Sequence, residues 1–326
     1  MAHFLSIAQT DRARCAGGFT LIEISIVLVI IGLIIGGILV GRDLISAAQV
    51  RAQMSQIEKY QMSVNIFRSK FNALPGDMNA TTATAFGFTA RGAFAGQGDG
   101  NGVIEGVRGD CSGCNLFSAD FGGETEAFWT DLSTANLVDG GFSQYNILAP
   151  PASVSQTQVG LYMPAAKIGH GNYVYVWSGG WQEVWIGTPG DSINYFSLAA
   201  VIGSPVAWNG IPAANVSLTV QQAYNIDNKI DDGLPQTGRV TAMYNSGNQV
   251  WAAGGNNTSI LGEQNSGDFD MITGGPVTSA GSIGDGMAAG VNSCYDGSGG
   301  LPEKYSMQIN GGNGPNCALS FRFQFQ

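Results

Sequence analysis

The 326-residue sequence predicts an α+β protein in which one long N-terminal helix, half membrane-type and half amphipathic, packs on a glycine-rich, mainly antiparallel β head. Three observations predict it. Residues 19–40 form an apolar run broken by one charge, Glu23. From Val50 to Leu74 apolar residues recur every three or four positions. Beyond Pro75, short alternating runs are separated by glycine-rich turns.

The apolar run, Phe19–Val40, has 22 residues. As a helix it would be about 33 Å long, enough to span a hydrocarbon core. Arg12 and Arg14 precede it, and basic flanks stay in the cytoplasm. The remaining chain is then expected outside. A secretory signal carries its small cleavage residues after the apolar core. Here Ala16-Gly17-Gly18 stands before it. A cut at Gly18 would remove a basic leader and keep the hydrophobic helix. Glu23 lies one turn into that helix, where a carboxylate is costly in lipid and marks a functional position.

Gly18-Phe19-Thr20-Leu21-Ile22-Glu23 resembles the processing site of type IV prepilins and type II secretion pseudopilins. The resemblance implies cleavage between Gly18 and Phe19 by a prepilin peptidase, N-methylation of Phe19, and an assembly role for Glu23. It has a physical reading. A new ammonium on Phe19 and the Glu23 carboxylate are both expensive in lipid, and pairing them between neighbouring subunits relieves both costs. The competing reading is a plain single-pass anchor whose Glu23 snorkels to the interface. Gly32/Gly36 and Gly37/Gly41 have a small-xxx-small spacing that allows close helix approach. Val40 stands where the pilin branch often has a kinking proline, which leans towards the pseudopilin branch.

The resemblance implies a pilin-like fold and a structural subunit of a type IV pilus or type II secretion pseudopilus, with no catalysis. The alternative is a minor, tip-located adhesin that binds a glycan or a secreted protein. Implied partners are copies of the chain, other pilin-like subunits, the peptidase and an inner-membrane assembly machinery. The chain would sit in the inner membrane, then in a periplasmic or cell-surface filament. Three segments follow: a leader (1–18), a transmembrane and assembly helix (19–74) and an extracytoplasmic head (75–326).

Val50, Met54, Ile57, Tyr60, Val64, Phe67, Phe71 and Leu74 form one helix stripe. Arg42, Arg51, Lys59, Arg68 and Lys70 lie mostly off it. Leu74-Pro75-Gly76-Asp77 stops the helix. The stripe needs a cover, and the head is the expected one. In the head, Tyr173–Trp177, Glu183–Ile186 and Leu319–Phe325 read as strands. The head carries 7 Lys and Arg against 20 Asp and Glu. That balance argues against nucleic-acid binding, which needs cations against phosphate.

Cys15 would leave with the leader. Four cysteines would remain outside the membrane, which fits disulfides, with three possible pairings. The segment between Cys294 and Cys317, with a strand after it, resembles the C-terminal disulfide loop of many pilins. That resemblance implies Cys294–Cys317 and leaves Cys111–Cys114. A Cys111-x-x-Cys114 pair also fits redox chemistry or zinc.

Two acidic stretches are candidate calcium sites. Gly98–Glu105 has the alternating oxygens and sharp-turn glycine of a calcium loop, with Asp99, Asn101 and Glu105 as ligands. Gln97 and Arg108 stand where that loop has acids, so a glycine-stabilised turn is the plainer reading. In the second, a short helix through Val220, Ala223, Tyr224 and Ile230, capped by Gly233 and stopped by Pro235, puts Asp231 and Asp232 at its carbonyl end. Negative charge is disfavoured there, so Lys229, Arg239 or a cation held with Asp227 should compensate. Leu74–Met78, Gly98–Glu105, Glu124–Gly140 and Asp227–Gly238 also resemble segments of large-headed pseudopilin-like proteins. Gly169-His170-Gly171 predicts a surface turn at His170. Trp177, Trp181 and Trp185 read as core or as an exposed aromatic platform.

Overall fold

The computed structural model describes residues 19–92, 96–106, 122–144, 154–178, 193–205, 212–215, 217–235, 237–246, 249–252, 269–270, 275–276, 294–296, 304–307, 309–313 and 315–323. Helix α1 runs Leu21–Phe71, 51 residues. It ends where Asn72 turns to a positive φ of 52°, and Pro75 and Gly76 follow. Arg68 and Lys70 occupy its last turn, next to the negative end of the helix dipole.

The chain divides into two compact units, one up to Ala47 and one from Ala48 onward. In the first, the described residues are Phe19, Thr20 and the α1 residues up to Ala47, and the helix is long and apolar enough to cross a membrane. Its large side chains, from Leu21 to Ile45, are exposed; Leu33 is 71% exposed.

The second unit is the head. It contains the α1 residues from Ala48 on, with α2 (Ala80–Phe86), α3 (Gly123–Thr134) and α4 (Val220–Ile230). Its main strands are β1 (Asn172–Ser178), β2 (Asn194–Pro205), β3 (Pro212–Asn215), β4 (Leu218–Thr219), β5 (Val240–Ser246) and β6 (Gln249–Ala252). Short strands β7 (Phe269–Asp270), β8 (Gly275–Pro276), β9 (Tyr295–Asp296) and β10 (Lys304–Tyr305) precede the last, β11 (Pro315–Arg322). Among the described residues the sheet has the order β1-β2-β3-β6-β5-β11-β4, all antiparallel. β2 organises it. Leu198 pairs Val174 of β1 on one edge and Leu319 of β11 on the other. Farther along, Val201 pairs Ala214 of β3. The strand expected at 173–177 falls in β1, and that expected at 319–325 falls in β11 only as far as Arg322; both neighbour β2, while 183–186 lies outside the described residues.

The predicted α1 stripe is buried in the head: Val50, Ile57, Tyr60, Val64, Phe67, Phe71 and Leu74 are core, and Met54 packs at its edge. Tyr60 meets α3 through Trp129 (ring centroids 5.0 Å apart) and the sheet through Phe196 (6.1 Å). Phe128 and Phe323 close on Phe196 from α3 and from the residue after β11. Aromatic rings thus fill the space between helix and sheet, each burying a large apolar area. Three buried polar residues share the stripe: Gln53, Gln56 and Ser63. Gln56 donates to the Ala165 carbonyl (2.9 Å) and accepts from the Lys167 N–H (2.9 Å), and Gln53 accepts from the Ile168 N–H (3.1 Å). Gln53 and Gln56 thus bind backbone groups of the loop that bridges to β1 at Tyr173, and Ser63 donates to the Leu137 carbonyl (2.9 Å). Arg42, Arg51, Lys59, Arg68 and Lys70 are exposed, as the pattern predicts.

Candidate functional site

At the start of α1, Thr20 is the N-cap residue and Glu23 the third residue of the first turn. The Thr20 N–H (2.7 Å) and hydroxyl (2.8 Å) both donate to Glu23 Oε2, and the Glu23 N–H donates to Thr20 Oγ1 (3.3 Å). This is a reciprocal capping box, which satisfies N–H groups that an α-helix otherwise leaves open. The Thr20-x-x-Glu23 spacing carried that signal in the sequence. Phe19 is 82% exposed, and Gly18 lies outside the described residues. Among the described residues, a Cβ built on Gly32, Gly36, Gly37 or Gly41 would meet no atom within 4 Å, so none of these residues requires the glycines.

The first acidic stretch is held by carboxylates that its own sequence does not contain. Asp77, after the end of α1, accepts the N–H groups of Gly100 (2.7 Å), Asn101 (3.1 Å) and Gly102 (2.7 Å). Glu124, in the first turn of α3, accepts those of Gly98 (2.8 Å), Asp99 (3.4 Å) and Glu105 (3.0 Å). The loop reaches them by placing Gly98, Gly100 and Gly102 at positive φ. A Cβ on Gly98 would also lie 2.6 Å from the Met78 carbonyl oxygen. Carboxylate oxygens of Asp77, Asp99 and Glu124 come within 4.8 Å of one another. Asn101 donates to Asp99 (3.1 Å) and Glu105 (3.4 Å). Of the predicted ligands, Asp99 and Asn101 are exposed and Glu105 is buried. Asp77 and Glu124 were missed as members of the group, although both fall in the segments with family resemblance.

Burial pushes the Asp77 carboxyl up to about 7, against the pull of its backbone hydrogen bonds, and the Asp99 charge adds to it. Glu105 is pushed up to about 7, by burial first, with Asp99 and Asp77 adding and the Asn101 bond opposing. Glu124 is raised well above the usual range by burial and then by Asp77. Such a cluster takes up protons more readily than free carboxylates do. Beside it, the buried Arg91–Asp131 pair (2.5 Å) clamps the chain after α1. Asp131 accepts from the Gly76 N–H (2.7 Å), and Arg91 donates to the Met78 carbonyl (3.1 Å).

The second acidic stretch follows α4, whose N-terminus carries a capping box of Thr219 and Gln222. The helix ends at Ile230, and Gly233 takes a positive φ of 76°. Carboxylate oxygens of Asp227, Asp231 and Asp232 lie within 4.8 Å of one another. Much of the expected compensation comes from backbone and hydroxyl donors. Asp227 accepts from the Tyr305 hydroxyl (2.7 Å) and the Gly233 N–H (3.2 Å). Asp231 accepts from the N–H groups of Arg239 and Val240, and Asp232 from Leu234 and Thr237. Arg239 thus serves through its backbone N–H. Burial pushes Asp227 up to about 7, against the Tyr305 and Gly233 bonds.

Cys294 and Cys317 form a disulfide that ties β11 to the segment before β9. Cys111 and Cys114 lie outside the described residues, as do Trp181 and Trp185. Trp177 is core: it stacks on Tyr195 (4.6 Å) and donates Nε1–H to Ser320 (3.3 Å). His170 is exposed in a turn at φ 57°.

Residues 13–39 match the family model of the prokaryotic N-terminal methylation motif, the signature of type IV pilins and pseudopilins. No curated protein and no solved structure matches the chain.

Proposed function

We propose that this chain is a structural subunit of a type IV pilus or type II secretion pseudopilus, cut after Gly18, methylated on Phe19 and polymerised through α1. The methylation motif at 13–39 carries this reading. The first half of α1 supports it. Its large apolar residues are exposed among the described residues, and such a surface needs lipid before assembly and other helices afterwards. The basic residues Arg12 and Arg14 before the apolar run support a head outside the cytoplasm. Partners are then copies of the chain, other pilin-like subunits, the prepilin peptidase and the inner-membrane assembly machinery. Mass spectrometry of the mature protein tests the cut, and a first residue other than N-methylated Phe19 defeats it. Glu23→Ala should leave insertion and the head intact while filament yield collapses. Normal filaments from that variant would reduce Glu23 to a tolerated acid. A minor tip adhesin has the same N-terminal chemistry, and its rarity along purified filaments would reveal it.

Calcium is the proposed ligand of the head's acidic stretches, because carboxylate oxygens from three residues converge in each. Oxygen donors of this kind suit a hard divalent cation. Asp77, Asp99 and Glu124, with Asn101 and Glu105 beside them, would hold it in the first; Asp227, Asp231 and Asp232 would hold it in the second. Calcium should raise the melting temperature of the head and chelator should lower it. Identical melting in both removes the proposal.

A further inference from the structure

We infer that Asn101–Gly102 is a spontaneous deamidation site that Asp77 holds unreacted in the folded head: its carboxylate keeps the Gly102 N–H, and with it the nitrogen that would attack the Asn101 side chain. This chemistry needs no other subunit and no bound cation.

An asparagine followed by glycine is prone to the reaction because glycine puts no side chain in the way of its own nitrogen. The Gly102 nitrogen attacks Asn101 Cγ, and a C–N bond forms. Its proton passes through water to Nδ2, which leaves as ammonia. A second water then opens the succinimide ring, at the side-chain carbonyl to give aspartate or at the backbone carbonyl to give isoaspartate. Asn101 is exposed, so water is at hand.

In the folded head the atoms of the first step are already engaged. The Gly102 N–H donates to Asp77 Oδ2 (2.7 Å). Withdrawing that proton would build a second negative charge beside the carboxylate, which disfavours it. Asn101 Oδ1 accepts the Val103 N–H (2.7 Å), and Nδ2 donates to Asp99 (3.1 Å) and Glu105 (3.4 Å). Asp77 is itself fixed, since it is buried and its Oδ1 accepts the N–H groups of Gly100 and Asn101. The lock matters because the product does not fit. Deamidation replaces the Nδ2 donor with an acceptor oxygen facing the Asp99 and Glu105 carboxylates. Isoaspartate also adds a methylene to the backbone of a loop whose Gly98, Gly100 and Gly102 sit at positive φ.

The test ages full-length wild type, Asp77→Asn and Glu124→Gln in detergent and chelator at mildly alkaline pH, below their melting temperatures. Peptide mass mapping reads conversion at Asn101. In Asp77→Asn one carboxylate oxygen becomes an NH2. The remaining oxygen serves best where the Gly100 and Asn101 N–H groups converge, so the NH2 falls at Gly102 and the lock is lost. Conversion should rise about tenfold, the effect of losing one hydrogen bond to a charged group. Glu124 accepts from Gly98, Asp99 and Glu105 and leaves Gly102 to Asp77, so Glu124→Gln should convert like wild type. An equal rise in both variants overturns the inference, because loop order as a whole would then be the guard. So does an unchanged or slower rate in Asp77→Asn; a slower one would make Asp77 the base that starts the reaction. Wild type alone gives a second measurement that needs no variant to fold. Unfolded in guanidinium, its Asn101 should convert at the rate of the other Asn–Gly pairs, at Asn209, Asn310 and Asn313, and about tenfold faster than in the folded chain. Equal rates in the folded and unfolded chain overturn the inference.

Discussion

The two halves of α1 are equally helical and answer to different partners. From Leu21 to Ile45 the apolar residues point in every direction and are exposed. From Val50 to Phe71 most of them lie on one stripe that the head buries, and the opposite face carries the charged residues with Met62 and Ile66 exposed among them. The difference teaches that apolar content alone does not say what covers a helix. Uniform apolarity asks for a surrounding solvent of lipid or other helices, whereas periodic apolarity asks for a single neighbour. The polar residues sharpen the contrast. Glu23 is met by Thr20 in its own turn, while Gln56 is met by a backbone more than 100 residues away.

The largest expected break in this comparison is Phe67→Ala. Phe67 is fully buried against Phe71 and Phe88. Its loss should destabilise the head by about 3–5 kcal/mol, read by chemical unfolding of the full chain in detergent. Leu33→Ala, in the other half, should leave that unfolding curve unchanged; an equal loss would mean that both halves are covered by the head. Next in size is the disulfide. Cys294→Ser should cost about 3 kcal/mol on the loop-closure account, and the same unfolding curve checks it.

Acid–base behaviour of the head separates its carboxylates from Glu23. Asp77 and Glu105 titrate near 7 when folded and near 4 when unfolded. Between these values the folded state binds more protons, so stability falls as pH rises. In chelator the melting temperature should drop between pH 5 and pH 8, corresponding to roughly 2–4 kcal/mol. Asp77→Asn should flatten the drop, and so should calcium if it binds there. A pH-independent melting temperature in chelator would show that these carboxyls are not perturbed. The smallest effect is at α4, where Thr219→Ala should cost about 1 kcal/mol through the lost cap, again by chemical unfolding.

Much of α1 was legible in the sequence because helix periodicity is local. The stripe from Val50 to Phe71 needed no knowledge of the head, and the expected stop at Leu74–Asp77 came a few residues late, because the helix ends at Phe71 where Asn72 turns to positive φ. The capping box at Thr20 and Glu23 is equally local, with partners three residues apart, but it was missed, Glu23 having been taken only as a charge in lipid. The acidic stretch at 98–105 was legible only as a ligand-like loop. Its anchors, Asp77 and Glu124, lie about 20 residues away on either side, and no spacing rule connects them. The burial of Gln53, Gln56 and Ser63 was likewise hidden, because a polar residue on an apolar stripe declares its use only when its hydrogen-bond partner is known.

The sequence by itself determined the N-terminal methylation motif, the apolar half of α1 and the helix stripe. Each rests on the order and spacing of neighbouring residues, and the methylation-motif match at 13–39 supports the first of them. Tertiary structure alone decided which strand lies beside which, with β2 between β1 and β11, and which carboxylates hold the 98–105 loop. The physical reason is that strand pairing and buried hydrogen bonds join groups far apart in the chain. Their stability comes from burial that only the folded head creates.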